Sequence, residues 1–246
     1  MITTSKTSVF SYNDIGILVK TSNQNFSNNQ SKQPCLWLIH GSGGISSNED
    51  LWIEKAFKNG YAVIIVDSYS NRGIFKQFWE SVDEYRITPE QRAKDIILAH
   101  TYLKSKADVV PFLDLNNNIN VGFSDGGTAG IWLQQAEQPD IFKMSFCLYP
   151  GLKPTVIPEK LYKIKNTNVH IFVGELDNWT PAMYDIEYQK SVNCKLTVWP
   201  NTHHSFSKPG VDSWHHNTLN YKRERGVYCK YNEDATQKTM DIVFNE

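Results

Sequence analysis

The chain has 246 residues, and its 25 basic and 26 acidic side chains give a formal net charge of −1 at pH 7, which excludes a global electrostatic attraction to nucleic acid or to an anionic membrane. Its mean hydropathy of −0.45 and hydrophobic content of 40 % are those of an ordinary globular protein. No run of residues approaches the roughly 20 apolar residues that a membrane-spanning helix requires.

Short apolar runs alternate with longer helical patterns, which predicts βα units and a mostly parallel sheet. The first two predicted strands flank Asn13-Asp14 and are expected to form a hairpin at the sheet edge, and the last is predicted to be a core strand. We therefore expect one α/β domain over residues 1–246, with helices on both faces of the sheet. The predicted strands are residues 8–12, 15–20, 35–39, 61–66, 119–123, 144–149, 169–173 and 195–199. The predicted helices are residues 48–58, 89–104, 127–137, 181–190 and 232–244.

Gly122-Phe123-Ser124-Asp125-Gly126 is the most informative stretch, because it stands between an apolar strand and a helical pattern. It matches G-x-S-x-G, the nucleophile elbow that exposes a serine hydroxyl on a sharp strand-to-helix turn. The same turn directs the backbone N–H of Asp125 toward a developing oxyanion. Serine and glycine also make ordinary turns, so the elbow interpretation depends on finding an acid and a base.

An acid is expected after a later strand, because elbow enzymes carry their catalytic residues in the order serine, acid, histidine. The strand at 169–173 is followed by Glu175 and Asp177, and Asp185 lies in the next helix. Position in the loop favours Asp177 over both other carboxylates.

A base is expected beyond the acid, since a serine hydroxyl becomes nucleophilic only when a neighbouring group takes its proton. His203 and His204 follow the strand at 195–199. Side chains of adjacent residues diverge, so only one of these histidines can serve, and spacing alone leaves the choice between them open.

A glycine-rich turn, His40-Gly41-Ser42-Gly43-Gly44, follows the early strand at 35–39. Its glycines let backbone amides approach a substrate, and we select the N–H of Ser42 as the second oxyanion donor beside that of Asp125. A phosphate-binding loop is disfavoured, because no G-x-x-x-x-G-K-[ST] pattern is present. For His40, hydrogen bonding to the backbone of the turn is the favoured role.

The chain resembles α/β-hydrolases of the dienelactone hydrolase type over about residues 35–210. The resemblance implies an α/β-hydrolase fold with Ser124 as nucleophile, Asp177 as orienting acid and His204, selected by the family's His-x-Phe spacing, as base. The founding dienelactone hydrolases use cysteine at the elbow, so the serine here implies a serine esterase or related hydrolase rather than the dienelactone substrate. The matching motifs are His40-Gly41-Ser42-Gly43-Gly44, residues 67–73, Gly122-Phe123-Ser124-Asp125-Gly126-Gly127, Tyr149-Pro150-Gly151, residues 174–181 and His204-Ser205-Phe206.

Two long segments, residues 68–87 and 205–231, are predicted to be loops at the rim of the active site, because long loops in compact domains are usually functional or disordered. Tyr69, Arg72 and Trp179 are candidate substrate-binding residues. Arg72 would bind a substrate carboxylate, and the favoured alternative is an ion pair with an acid such as Asp67. Trp179 serves either as a pocket wall or as packing.

Metal binding is not expected, because the adjacent histidines at positions 203, 204, 215 and 216 do not have the spacing of zinc ligands. The four cysteines form no C-x-x-C pair, although a bridge between Cys194 and Cys229 stays open.

The sequence therefore predicts a serine hydrolase that cleaves an ester or lactone of a small molecule, with an acyl-enzyme intermediate and no cofactor. An acyltransferase, amidase or peptidase with the same three residues, or a non-catalytic binding protein on a hydrolase scaffold, are the alternatives. The only expected partner is the small-molecule substrate, without nucleic acid or membrane, and the chain is expected to be a monomer or homodimer. The start of the chain lacks signal-peptide features, which predicts a cytoplasmic protein, or a secreted or periplasmic one if a leader has been removed.

Overall fold

The computed structural model describes residues 5–22, 32–75, 87–153, 159–164 and 168–245. All the predicted strands and helices are present, with shifted boundaries. Within these ranges, no helix is both long enough and apolar enough to cross a membrane. The strands are β1 Ser5–Tyr12, β2 Ile15–Ser22, β3 Gln33–Ile39, β4 Ala62–Asp67, β5 Leu113–Phe123, β6 Met144–Leu148, β7 Val169–Gly174, β8 Lys195–Trp199, β9 Asp212–Leu219 and β10 Arg225–Lys230. The helices are α1 Ser47–Lys58, α2 Pro89–Ser105, α3 Asp125–Leu133, α4 Ala182–Ser191 and α5 Glu233–Asn245, with 3₁₀ turns at Ser70–Arg72 and Glu159–Tyr162.

Eight strands form one sheet in the order β1-β2-β4-β3-β5-β6-β7-β8. The pairs from β4 to β8 are parallel, whereas β1–β2 and β2–β4 are antiparallel, so the predicted N-terminal hairpin is confirmed at one edge. From β3 the chain continues to β4 on one side of it, whereas the next strand, β5, lies on the other side of β3. The strand order therefore reverses between β3 and β5. Ligands of open α/β sheets bind at the carboxyl ends of strands at such a point.

The sheet is buried on both faces. Residues of β3 alternate between them, with Cys35 and Trp37 in one apolar cluster and Leu36 and Leu38 in the other. The first cluster is covered by α2, α3 and α4, and the second by α1 and α5. This arrangement confirms the predicted α/β class with helices on both faces.

One strand differs from its prediction. β8 is the edge of the sheet, paired only with β7, and its residues are half-buried or exposed rather than core residues. Val198, for example, is 37 % exposed.

The predicted rim loop at residues 205–231 is in fact an antiparallel hairpin of β9 and β10. β9 was missed because it is polar and mostly exposed, so it lacks the apolar alternation of a buried strand. β10 has only two buried apolar side chains at alternate positions, Val227 and Cys229. In the other predicted loop, residues 68–87, residues 76–86 lie outside the described ranges.

Candidate active site

Ser124 occupies the sharp turn between β5 and α3. Its dihedral angles, φ 52° and ψ −117°, lie in a region that residues with a Cβ enter only under strain. Its N–H donates to the carbonyl of Leu148 at 2.9 Å, which ties the turn to β6. A Cβ on Gly122 would collide with the backbone of Gly126, and a Cβ on Gly126 with the carbonyls of Ile39 and His40. The elbow therefore forms only with glycine on both sides of the serine.

His204 lies between Ser124 and Asp177. Its Nε2 is 3.2 Å from Ser124 Oγ, and its Nδ1 is 2.7 Å from Asp177 Oδ2. Because a carboxylate only accepts, Nδ1 carries the hydrogen and Nε2 is left to accept the serine hydroxyl proton. His204 and Asp177 are buried, at 1 % and 3 % exposed. The loops after β5, β7 and β8 thus bring the three side chains into one hydrogen-bonded chain.

The carboxylate of Asp177 is held by its own loop. Its Oδ1 accepts from the N–H groups of Trp179 and Thr180, both at 2.8 Å, and the hydroxyl of Thr180 lies 3.0 Å from Oδ2. Tyr149 packs its ring edge-on against His204, with centroids 4.7 Å apart. Sequence reasoning missed Thr180 and Tyr149, although the Asp-x-x-Thr spacing is a signal for a side chain that caps its own turn.

The alternative acids and the second histidine lie elsewhere. Glu175 is exposed and accepts from the N–H of Asn201 at 3.0 Å. Asp185 is buried in α4, where burial and then the charge of Asp177 raise its pKa well above its usual range. His203 directs Nδ1 to the carbonyl of Leu176 and does not line the pocket described below.

The glycine-rich turn packs directly on the elbow. A Cβ on Gly41 would lie 3.2 Å from the carbonyl oxygen of Phe123, so the two backbones are in contact. Gly44 N–H donates to the carbonyl of Gly41 at 3.1 Å and closes the turn. Ser42 consequently lines the same pocket as Ser124.

A pocket of about 310 Å³ opens above Ser124. Its volume is at the lower end of the range for small-molecule sites. The elbow, the glycine-rich turn, the acid loop and the β9–β10 hairpin all contribute to its wall. Burial raises the pKa of Glu49 in this wall, and Lys208 supplies a positive charge. The polar side chains of the pocket beyond the elbow and base are Ser42, Ser46, Asn48, Glu49, Ser205, Lys208, Ser213 and His215.

The hairpin faces the pocket with alternate residues. Ser213 and His215 line it and bond to each other at 3.1 Å, while Trp214 and His216 point to solvent. Burial, followed by the charges of His204 and Lys208, lowers the pKa of His215. The sequence reading did not assign these two pocket residues a role in substrate binding.

Of the three predicted substrate-binding residues, only Trp179 lines the pocket, with its ring centroid 4.8 Å from that of His204. Arg72 instead makes a two-pronged ion pair with Asp95 of α2, at 2.7 and 3.0 Å. The ion-pair alternative was therefore the better one, with Asp95 in place of Asp67. Tyr69 is 1 % exposed and packs edge-on against His40 behind the turn, so it is not a pocket residue.

All four cysteines are free and buried, so the bridge between Cys194 and Cys229 is not formed. Cys229 lines the pocket, and burial raises its pKa to about 12, which keeps it a protonated thiol at neutral pH. Across the described part of the chain, no three potential metal ligands cluster.

A family model for the dienelactone hydrolase family matches residues 24–245. The chain belongs to the dienelactone hydrolase family. The structure has the α/β-hydrolase fold of this family. The match also supports the conclusion that the protein is a hydrolase. A search of the curated proteins found no match.

Three solved structures are similar to this chain over nearly its whole length. A candidate dienelactone hydrolase from Klebsiella pneumoniae is 12 % identical, with a TM-score of 0.70 over 98 % of each chain. A dienelactone hydrolase-like promiscuous phosphotriesterase from metagenomic libraries is 14 % identical, with a TM-score of 0.66 over 98 % of this chain and 96 % of that one. Esterase 2 of Thermogutta terrifontis, phosphoramylated by tabun, is 14 % identical, with a TM-score of 0.65 over 98 % and 92 %. At these identities the likeness is one of fold.

Proposed function

We propose that the protein is a serine hydrolase that cleaves an ester or lactone of a small molecule through an acyl-enzyme intermediate. The observation that carries the proposal is the hydrogen-bonded chain from Ser124 through His204 to the buried Asp177, at the base of a pocket. Nucleophile, base and orienting acid in this geometry are the arrangement that activates a serine.

In the proposed first step, His204 takes the hydroxyl proton as Ser124 Oγ attacks the carbonyl carbon of the substrate. The imidazolium that forms is stabilised by Asp177, which stays ionised. His204 then gives the proton to the leaving oxygen as its bond to carbon breaks. Water then attacks the acyl carbon as His204 takes one of its protons. His204 gives that proton to Ser124 Oγ as the acyl–oxygen bond breaks, which releases the carboxylic acid and restores the serine.

The proposed oxyanion hole consists of the backbone N–H groups of Ser42 and Asp125. Asp125 is the first residue of α3 and directly follows Ser124, so its N–H lies at the N-terminus of the helix that begins at the nucleophile. Ser42 is placed beside the elbow by the contact between Gly41 and Phe123. Donors fixed before the reaction stabilise the oxyanion without reorganising.

The polar pocket wall favours a small, hydrogen-bonding substrate over a long aliphatic one. A cavity of about 310 Å³ has room for a compact molecule, and the positive charge of Lys208 favours a substrate that carries negative charge. No cofactor takes part in the proposed reaction.

Hydrolysis of p-nitrophenyl acetate tests the proposal, with Ser213→Ala as the matched control because Ser213 is a second serine of the same pocket. Ser124→Ala is expected to lower kcat by at least about 10³-fold, since triad members act as a unit. Ser213→Ala is expected to stay within about one order of magnitude of the wild type. Equal losses in both variants, or an inactive wild type, would contradict the proposal. Transfer of the acetyl group to added alcohol at the expense of hydrolysis would favour an acyltransferase.

A further inference from the structure

The guanidinium of Arg92 is buried behind the active site. Arg92 belongs to the first turns of α2 and is 1 % exposed. Its charged group lies 5.3 Å from the ring centroid of Tyr69, and neither residue lines the pocket. Removing an arginine charge from water carries an effective penalty of several kcal/mol, so packing alone does not account for it.

Arg92 contacts both segments that carry the proposed oxyanion donors. Its Nη2 donates to the carbonyl of His40, at the start of the glycine-rich turn. Its Nη1 lies 3.7 Å from the carboxylate of Asp125, directly after the nucleophile. The carbonyls of Ile39 and His40 are also the groups against which Gly126 of the elbow packs. The arginine therefore lies at the junction of turn and elbow.

The peptide unit between Gly41 and Ser42 links this junction to the pocket. Its carbonyl accepts from His40 Nδ1 at 2.8 Å and from Gly44 N–H at 3.1 Å. In a trans peptide the N–H points opposite to the carbonyl, so holding the Gly41 oxygen fixes the direction of the Ser42 N–H. Arg92 Nη2 lies 3.1 Å from the same ring nitrogen of His40, so the guanidinium is in contact with the ring that holds this carbonyl.

The charge of Arg92 also favours the neutral form of the His40 ring. Burial first, and then the guanidinium, lower the pKa of His40 to about 3. A neutral ring has one N–H, and the carbonyl at Nδ1, which only accepts, places that hydrogen on Nδ1.

We propose that Arg92 is a positioning residue that holds the glycine-rich turn against the elbow, so that the N–H groups of Ser42 and Asp125 converge on one oxyanion. The inference rests on the proposed function of the site. Arg92 acts through His40 and the backbone and does not itself touch the substrate. Its loss is therefore expected to weaken binding of the tetrahedral state and to leave binding of the substrate nearly unchanged.

The test compares Arg92→Met and Arg92→Lys with the matched control Arg72→Met. Arg72 also ties a loop to α2, through Asp95, but it lies outside the pocket. The readouts are kcat and KM for p-nitrophenyl acetate, the inhibition constant of phenylboronic acid, which forms a tetrahedral adduct with an active serine, and the melting temperature.

Arg92→Met is expected to lower kcat and boronate affinity by about 10–100-fold, somewhat less than the loss of a whole oxyanion donor, with KM within about twofold. Arg92→Lys keeps the positive charge but loses the planar guanidinium with its several donors. Its kcat and boronate affinity are expected to lie between those of Arg92→Met and the wild type. Arg72→Met is expected to lower the melting temperature without changing kcat or boronate affinity.

Wild-type values of kcat and boronate affinity in Arg92→Met, or equal losses in Arg72→Met, would overturn the inference. If Arg92→Met does not fold, Arg92→Lys takes its place, and full activity in that variant overturns the inference. If the wild-type protein hydrolyses no ester and binds no boronate, the proposed function itself is contradicted. If the wild type is active and the Arg92 variants are unaffected, only the role of Arg92 is contradicted.

Discussion

The two sides of the pocket are built differently. On the elbow side, Gly41, Gly122 and Gly126 bring backbone against backbone at the centre of an eight-stranded sheet. On the hairpin side, β9 and β10 form a separate two-stranded sheet, and the pocket residues of β9, Ser213 and His215, are only half-buried. The proposed catalytic residues thus lie where close packing leaves no alternative arrangement, and part of the pocket wall lies on an added element.

The hairpin is attached to the acid loop mainly by the side chain and backbone of Asn178. Its Nδ2 donates to the carbonyl of Gly226 at 3.3 Å, and its Oδ1 accepts from the N–H of Tyr228 at 3.1 Å. The carbonyl of Asn178 accepts from Tyr221 N–H at 3.3 Å. We infer that substitutions on the elbow side change turnover and stability, whereas substitutions on the hairpin change substrate preference.

The largest effect on turnover is expected from Asp177→Asn on the elbow side. An amide presents hydrogens where His204 Nδ1–H now donates, so the histidine loses the tautomer that accepts from Ser124, and kcat is expected to fall by about 10³–10⁴-fold. Steady-state ester hydrolysis measures this. Glu175→Gln, which changes the exposed acid of the same loop, is the control and is expected to stay within about twofold of the wild type. A comparable loss in the control would reject Asp177 as the orienting acid.

The second effect is expected on stability, and it tests how closely the backbone is packed around Gly126. Gly126→Ala places a Cβ against the carbonyls of Ile39 and His40, whereas a Cβ on Gly43 of the neighbouring turn meets nothing within 4 Å. Gly126→Ala is expected to lower the free energy of unfolding by about 1–3 kcal/mol, or to prevent folding, because backbone cannot move aside as a side chain can. Gly43→Ala is expected to be nearly neutral. Urea unfolding of both proteins checks this, and equal stability of the two would mean that the elbow is not tightly packed.

His40 is expected to make the elbow side sensitive to acid. Its pKa is lowered to about 3 by burial and by Arg92, and it regains an ordinary value near 6.5 on unfolding. Between these values the unfolded chain binds a proton that the folded protein does not, so stability is full above about pH 6.5 and falls as the pH drops toward 3. The free energy of unfolding is expected to be lower at about pH 4.5 than at about pH 7, with a smaller difference in His40→Gln. Some slope remains, because burial also lowers the pKa of His100. An unchanged slope in His40→Gln would contradict this origin.

The smallest effect is expected on the hairpin. His215→Phe removes a hydrogen-bonding group from the pocket, and His216→Phe makes the same change on the solvent face of the next residue. Only the first is expected to alter the ratio of kcat/KM values for a polar and an apolar ester of the same acid, by about 3–10-fold. The kcat for p-nitrophenyl acetate is expected to stay within about one order of magnitude in both. A large loss of kcat in His215→Phe would contradict the inference that hairpin substitutions change substrate preference rather than turnover.

The elbow side could be predicted from the sequence, because its signals are local. Ser124 stands between glycines at a strand-to-helix boundary, and the acid and base candidates follow later strands in the required order. The helix after the elbow was also predicted, although it ends at Leu133 rather than at residue 137. Local pattern alone could not choose between His203 and His204, and the contact with Asp177 distinguishes them.

Partners that are distant in sequence could not be predicted. Arg72 pairs with Asp95 on a helix that packs beside its loop, although Asp67 is nearer in the chain. β9 is polar and mostly exposed, and the buried residues of β10, Val227 and Cys229, are too few to reveal a strand. For Arg92 a signal was available: it is four residues before Ile96, which places a charge on the buried face of α2. A charge on the apolar face of a helix indicates a buried partner, and here the partner is the active-site backbone.

An activated serine at position 124 is best detected by measuring the intact mass of the protein after incubation with a fluorophosphonate. We expect one adduct on the wild-type protein that is absent from Ser124→Ala and from His204→Ala, and that persists in Ser213→Ala. Folded wild-type protein without an adduct, or Ser124→Ala that still carries one, would contradict this expectation.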